Sequence, residues 1–430
     1  MRILLIATNR HSKFMNRLSA QPAPIGLAYI GGHLDSKKHD VKILDLMFSD
    51  DYLEETEKSV REFHPDLIGI SLRNLDNVSY IDPQWALPVT KEIIEKVRSI
   101  SDAPIVCGGA GFSLLPEACF EYLEPNLGIA GDGGESFAQL ADSLGSGETY
   151  TNLPGLVYRD VNGTVLRKGL AYSDYTEPPL LDQLDLARYD KAGFGIGIVT
   201  KLDSALFNSR KDENRNRGWR VLRPIEEVIE DIRDMKDRFN LRKIFFIDSS
   251  FNVPLPHAKA LCQSMLEADL KVRWNSFMAP VPEACDEEVL GLMKEAGSAL
   301  VIMTDSAKGS LYDIDVESRL APVREACERC DRTGIRYVIS QKFGEPGETS
   351  DTVEAKLAFL RQIKPALANL RVGVRIMPNS PVADSALKEG LITDESDLIR
   401  PYFYIAEPVR DWIVDRLQAE AEANPRWNVV

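Results

Sequence analysis

GIGIVTKLDSALFNSRKDENRNRGWRVLRP, residues 195–224, decides how the chain is read. A short apolar strand, Ile196 to Thr200, runs into a long polar loop, and Pro224 then opens an amphipathic helix. Strand, long loop and helix start is the pattern by which a (β/α) barrel builds an active-site loop at the carboxyl end of a strand. This loop contains no cysteine, no histidine and no glycine-rich turn, so its chemistry is not evident from its own residues.

Downstream the same alternation continues. Strands are predicted at Lys243–Asp248, Val272–Ser276, Ala299–Thr304, Arg336–Gln341 and Leu370–Ile376, with helices between them from Ile225–Phe239 to Ala383–Lys388. Six βα units are fewer than eight, so a partial (β/α)6 TIM-type barrel is expected over 195–400, with 401–430 as a carboxy-terminal extension. Polar residues recur at the strand ends: Asp248, Ser249 and Ser250, then Asn275, then Thr304 and Asp305, then Gln341, then Arg375. Such groups point into a barrel's site, although each taken singly also suits a cap or a turn.

Upstream, residues 1–145 alternate short β-branched runs with helical patterns. Arg2–Ala7, Val41–Asp45, Leu67–Ser71, Pro104–Gly108 and Leu127–Ala130 read as strands buried on both faces of a parallel sheet. The fold class is therefore α/β, with a doubly wound Rossmann-like domain whose ligand site lies beyond the strand ends. Residues 146–194 form a linker with a hairpin about Asn162-Gly163 and a proline-rich run.

The chain has 430 residues, 44% hydrophobic and 27% charged, with 51 basic against 66 acidic side chains for a net charge of −15. That balance argues against a nucleic-acid or anionic-membrane partner. No apolar run reaches membrane-spanning length, and Met1 leads straight into a strand. Six cysteines make no disulfide framework, so a cytoplasmic setting is expected. Cys327 and Cys330 form a CxxC without a third thiol nearby and are read as two ordinary thiols rather than metal ligands, while Cys107, Cys119, Cys262 and Cys285 are read as packing residues.

Several stretches together resemble the cobalamin-binding domain found ahead of class B radical SAM barrels. They are the helix with Pro24, Gly26, Leu27, Ala28 and Tyr29, the loop GISLRNLDN (69–77) and the turn IVCGGAGFSLLPE (105–117). In the second half IFFIDSSFNVPLPHA, RWNSFMAP, TDSAKGSL, FGEPGET, VGVRIMPNSPVADSALKEG and PYFYIAEP recur in family order. The resemblance spans nearly the whole chain. It implies that Gly108, Gly109, Ala110, Gly111, Phe112 and Ser113 cradle the nucleotide tail of the corrinoid, with Gly131, Gly133, Glu135 and Tyr29 contributing. It also implies that Leu72, Arg73 and Asn74 lie below the cobalt. Many cobalamin proteins carry DxHxxG after the first strand; residues 9–14 keep only His11, so a base-off, His-off corrinoid is expected.

The departure is the opening stretch. The family's CxxxCxxC supplies three thiolates to a [4Fe–4S] cluster, and Ser204, Asn208 and Lys211 stand in their places. No cysteine lies between Cys119 and Cys262, so no shift of register restores one, and no cluster is expected. Without its electron source the family's radical step is lost, but S-adenosylmethionine (SAM) still offers three electrophilic carbons to a reduced corrinoid. The resemblance then implies polar chemistry: methyl transfer to an acceptor, or alkylation or cyclisation of SAM's aminocarboxypropyl arm. Asp248, Asp305, Arg375 and Tyr404 are the expected catalytic residues, with Arg375 gripping a carboxylate. Ser250, Asn275, Thr304 and Gln341 are expected on SAM. Lys201, Asn208 or Lys211 either holds the methionine carboxylate or sits in a solvated loop. Two other readings stay open, a non-catalytic cobalamin scaffold or carrier and an adenosylcobalamin radical enzyme. The expected partners are a small-molecule substrate and a separate reductase for the corrinoid.

Overall fold

The protein is described by a computed structural model over residues 1–8, 21–173, 177–192, 195–202, 221–304 and 315–430. His11, Ser204, Asn208, Lys211 and Asp305 lie outside the described residues. The amino-terminal sheet comprises β1 (Arg2–Ala7), β2 (Asp40–Asp45), β3 (Leu67–Ser71), β4 (Ile105–Gly108) and β5 (Leu127–Ile129). The hairpin β6 (Leu156–Arg159) and β7 (Val165–Arg167) extends its edge antiparallel, giving the order β2-β1-β3-β4-β5-β6-β7. Continuous apolar runs occupy the middle because helices cover both faces: Ile3 to Ile6 are fully buried, and each sheet face has its own hydrophobic cluster.

The second sheet is all parallel: β8 (Ile196–Ile198), β11 (Lys243–Phe246), β12 (Arg273–Phe277), β13 (Ser298–Thr304), β14 (Arg336–Phe343), β15 (Leu367–Val372) and β18 (Trp427–Val429). Two antiparallel ribbons accompany it, β9 (Lys201–Leu202) with β10 (Val221–Leu222), and β16 (Val374–Arg375) with β17 (Phe403–Tyr404). The seventh strand, β18, comes from the stretch expected as an extension and pairs with β15 through Ala368↔Trp427 and Leu370↔Val429. Among the described residues the sheet is an open partial barrel, with β8 and β18 as its edge strands.

Burial alternates along these strands, as a period of two requires. Ala368, Leu370 and Val372 are buried under the outer helices, whereas Asn369 and Arg371 face the lumen half-buried. Trp274 and Ser276 alternate in the same way with Asn275 and the exposed Phe277. Closed barrels fill this space with stacked side chains. Here it stays open.

The amino-terminal domain covers that opening. At one side Arg375 Nε donates to Asp76 Oδ2 at 2.7 Å, with both side chains no more than 4% exposed. Trp85 Nε1 donates to Ile399 O at 2.7 Å nearby, and Arg371 Nη2 to Val78 O at 3.3 Å. At the other side Arg223 Nη1 reaches Asp231 Oδ2 at 2.7 Å and the Tyr29 hydroxyl at 3.2 Å. The linker is tied in by Leu180 N donating to Ala28 O at 2.9 Å. No described helix is long and apolar enough to cross a membrane.

A buried charge cluster stiffens the end of β14. Lys356 Nζ lies 2.9 Å from Glu345 and 2.6 Å from Glu348, and Arg319 Nη2 lies 2.6 Å from Glu345. Burial alone would raise the Glu345 carboxyl, but Lys356, Lys342 and Arg319 outweigh it and hold it at about 2.

Two outcomes follow from these buried pairs. Asp76→Ala strands a buried guanidinium and is expected to cost about 3–5 kcal/mol, whereas Asp76→Leu with Arg375→Met costs far less; urea denaturation checks both. Glu345 is more acidic folded than unfolded, so its stabilisation is complete above its ordinary 4.5 and disappears as pH falls toward about 2. Acid-unfolding curves of wild type and Glu345→Gln should therefore differ at neutral pH and converge near the acid end.

Candidate functional site between the two domains

The strand ends of the amino-terminal sheet and the lumen of the partial barrel face each other across a cavity of about 760 Å³. Its amino-terminal wall is the run of loops after β3, β4 and β5, contributing Arg73, Asn74, Gly109, Ala110, Gly131 and Gly133. These loops hold one another. Leu72 N donates to Gly108 O at 2.8 Å, and Gly111 N donates to Leu72 O at 2.9 Å. Ser113 Oγ accepts from Gly131 N and donates to Gly109 O, both at 2.8 Å.

Glycine is required at two of these positions. Gly109 has φ +97°, and a Cβ there would lie 2.7 Å from Leu72 O; one on Gly111 would lie 2.7 Å from the Asn74 carbonyl carbon. The turn thus presents backbone to the cavity, while Phe112 and Ser113 sit behind it as packing and a loop tie. Leu72 is buried away from the cavity, and Glu135 faces out, accepting from Gln139. Tyr29 lines the cavity, and its hydroxyl joins the Arg223–Asp231 contact.

Arg73 is singular. Its accessible surface opens into the cavity, and among the described residues it has neither a hydrogen bond nor an ion pair. Enclosure by protein lowers its pKa from the ordinary value, and the nearby Tyr189 hydroxyl only partly offsets this. A cation that lines a cavity without a protein partner suits a polar or anionic ligand group. His33 also touches the cavity, but its Nδ1 lies 2.9 Å from Tyr29 O and its Nε2 3.2 Å from Ser173 Oγ.

The barrel wall is divided. Gly197, Phe245, Ile247, Phe277 and Ile302 make β8 and β11–β13 apolar, with Ile247 43% and Phe277 37% exposed into the cavity. Ser340, Asn369 and Arg371 make β14 and β15 polar. A polar floor with backbone-rich loops opposite an apolar wall fits a broad macrocycle fringed with amides, as cobalamin is.

Most of the polar strand ends singled out in the sequence are occupied elsewhere. The Asp248 carboxylate accepts from Thr200 N at 2.9 Å, Thr200 Oγ1 at 2.6 Å and Lys201 N at 3.3 Å, so it anchors the end of β8. Burial raises its pKa, against the pull of Lys201 and these hydrogen bonds. Lys201 is wholly enclosed, donating to Phe251 O at 3.0 Å. Arg375 spends its donors on Asp76, Ile376 O and Leu398 O, which leaves no edge to grip a substrate carboxylate. Tyr404 Oη donates to Glu389 at 3.1 Å, outside the cavity, and Gln341 is fully buried. Ser250 and Asn275 are half-buried and do not line the cavity; Thr304 does. Ser340, Asn369 and Arg371, none of them singled out in the sequence, also line the cavity.

The described donors do not fit an iron–sulfur cluster. All six thiols are free and buried, and burial pushes Cys107, Cys262, Cys285 and Cys330 up to about 12. Among the described residues no three His, Cys, Asp or Glu side chains converge as a metal site.

Residues 14–141 match the B12 binding domain family. A tryptophan 2-C-methyltransferase of Streptomyces laurentii is 24% identical over 451 residues, covering 87% of this chain and 74% of its own. The radical S-adenosylmethionine methyltransferase TsrM of Kitasatospora setae, solved with cobalamin and a [4Fe–4S] cluster, superposes with a TM-score of 0.81 at 20% identity, over 99% of this chain and 90% of that one. The cobalamin-dependent S-adenosylmethionine radical enzyme OxsB gives 0.76 at 14%, over 98% and 67%. The chain is thus a two-domain α/β protein in which a B12-binding domain caps a partial barrel. Its fold is similar to that of TsrM and OxsB, and its sequence has no CxxxCxxC motif.

Gly109→Val forces the β3 and β4 loops apart. It is expected to abolish retention of hydroxocobalamin through gel filtration, read from the visible corrinoid spectrum, while Glu135→Ala retains it.

Proposed function

We propose that the chain is a cobalamin- and SAM-dependent enzyme that acts by polar chemistry without an iron–sulfur cluster. It would catalyse methyl transfer to an acceptor, or alkylation or cyclisation of SAM's aminocarboxypropyl arm. The observation that carries this reading is an open barrel lumen capped by a B12-binding domain, with no thiolate at its mouth. The names of the relatives, methyltransferases among them, support a transferase.

Cobalamin, when bound and reduced, supplies a nucleophile able to displace a thioether from a sulfonium carbon. The chain's part is to hold and shield. Gly109, Ala110 and Gly131 would offer backbone to the corrinoid, and Arg73 would contribute a cation beside it, while the cavity's His33 is held by Tyr29 O and Ser173. A base-off, His-off state suits that floor. Phe245, Phe277 and Ile302 keep water from the reacting carbon and leave the sulfonium poorly solvated, while Thr304 lies at the lumen edge to orient SAM. A separate reductase would maintain the reduced corrinoid.

Purified protein reconstituted with hydroxocobalamin should show corrinoid absorbance and no stoichiometric iron or sulfide. With SAM and a low-potential reductant it should release S-adenosylhomocysteine or methylthioadenosine, resolved by mass spectrometry. Release of 5′-deoxyadenosine, or a genuine four-iron centre, would overturn the polar reading. Cobalamin bound without any turnover would favour a carrier.

A further inference from the structure

The end of the partial barrel away from the amino-terminal domain carries a second hollow, of about 480 Å³, whose lining includes Arg273, Lys294, Gly297, Ser298, Ala299 and Arg336. Strand order brings these residues together. Arg273 opens β12, Ser298 opens β13 and Arg336 opens β14, with Trp274 level with Ser298 and Arg336 level with Leu300. Ala299 has no partner in either ladder, a bulge of the kind found at barrel rims. Adjacent strands lie about 4.8 Å apart, so Arg273 and Arg336 start about 10 Å from each other, one on each side of β13. Lys294 comes from just before β13 and is held by donating to Gly334 O at 2.7 Å.

The charge of this hollow is unbalanced. Arg273 and Arg336 are exposed, and among the described residues neither side chain has an ion pair or a hydrogen bond. Nearby acids are engaged elsewhere: Asp269 with Lys271 at 2.8 Å, Glu287 with Arg332 at 2.8 Å, and Asp331 with the Tyr337 hydroxyl at 3.3 Å. Among the described residues no Asp or Glu lines the hollow. Ser298 is 3% exposed, and its hydroxyl oxygen is buried without a hydrogen-bond partner. Three cations and an unmet hydroxyl are thus gathered in one place, in a chain whose net charge is −15.

We propose that this hollow is a second ligand site, for a phosphate dianion, either inorganic phosphate or the monoester of a small metabolite. The phosphate oxygens lie between the Arg273 and Arg336 guanidiniums, whose planar forks match them, and Lys294 adds a third charge. Ser298 donates its hydroxyl from the floor. A dianion offsets the repulsion among the cations and gives Ser298 an acceptor, whereas one carboxylate would leave two positive charges unanswered. The site stands apart from the corrinoid reading: β13 spans seven residues, which puts the hollow about 20 Å from the lumen.

The test uses the full chain loaded with hydroxocobalamin. Equilibrium dialysis measures binding of radiolabelled inorganic phosphate, with ionic strength held constant by chloride and with AMP, adenosine or polyglutamate as competitors. Wild type should retain phosphate, Arg273→Met and Arg336→Met should each weaken it about tenfold or more, and Ser298→Ala about fivefold. All three variants should keep the corrinoid spectrum and the wild-type thermal melt. AMP that competes more strongly than phosphate, with adenosine inert, identifies a monoester as the ligand; equal competition identifies free phosphate. Chloride displacing phosphate as well as AMP does would overturn the site, as would Ser298→Ala binding unchanged, since either leaves only diffuse surface charge. Polyglutamate outcompeting both phosphates would overturn it in favour of an acidic protein surface. Should one arginine variant fail to fold, the other decides, because each guanidinium is required.

Discussion

A parallel sheet that curls without closing cannot fill its own lumen. In this chain six βα strands and one returning strand leave Phe245, Phe277, Ile302, Asn369 and Arg371 facing open space. Apolar groups held in that position require either water or a cover, and water is the costlier neighbour for phenylalanine. The cover is the amino-terminal domain, whose strand ends are themselves glycine-rich and unfilled. Each domain supplies what the other lacks, and the space left between them is the site.

That arrangement explains where charge is buried. Asp76–Arg375 and Tyr29–Arg223–Asp231 stand at opposite edges of the interface, each joining a residue of one domain to the other. Buried ion pairs are weak evidence of stability, since desolvation offsets most of their attraction. Their geometry is specific, however. A guanidinium committed through three donors fixes orientation more tightly than apolar contact, and the cavity's width depends on that orientation. Arg375, read from sequence as a substrate grip, does its work as an interdomain clamp.

The same accounting separates Arg73 from the other charged groups near the site. Arg223, Arg375 and Lys201 each hold hydrogen-bond partners within the protein, Arg223 through Asp231, Arg375 through Asp76 and Lys201 through Phe251 O. Arg73 has none among the described residues, and its surface opens to the ligand space. A cation that lines a ligand space without a protein partner is left for a ligand to complete.

Local pattern carried a great deal of this. Continuous β-branched runs such as Arg2–Ala7 and Leu67–Ser71 are interpretable alone, because burial on both faces leaves no alternative composition. The missing cysteines are likewise a fact of sequence. Which polar residue faces the ligand was another matter. Asp248, Gln341 and Arg375 sit at strand ends as Thr304 does, yet backbone N–H groups, burial or an acid from the other domain claim them first. Those competitors lie up to 299 positions away in the chain. Side-chain identity says what a residue is able to bind; only the packed structure decides which partner reaches it, because hydrogen bonds are satisfied in space and not along the sequence.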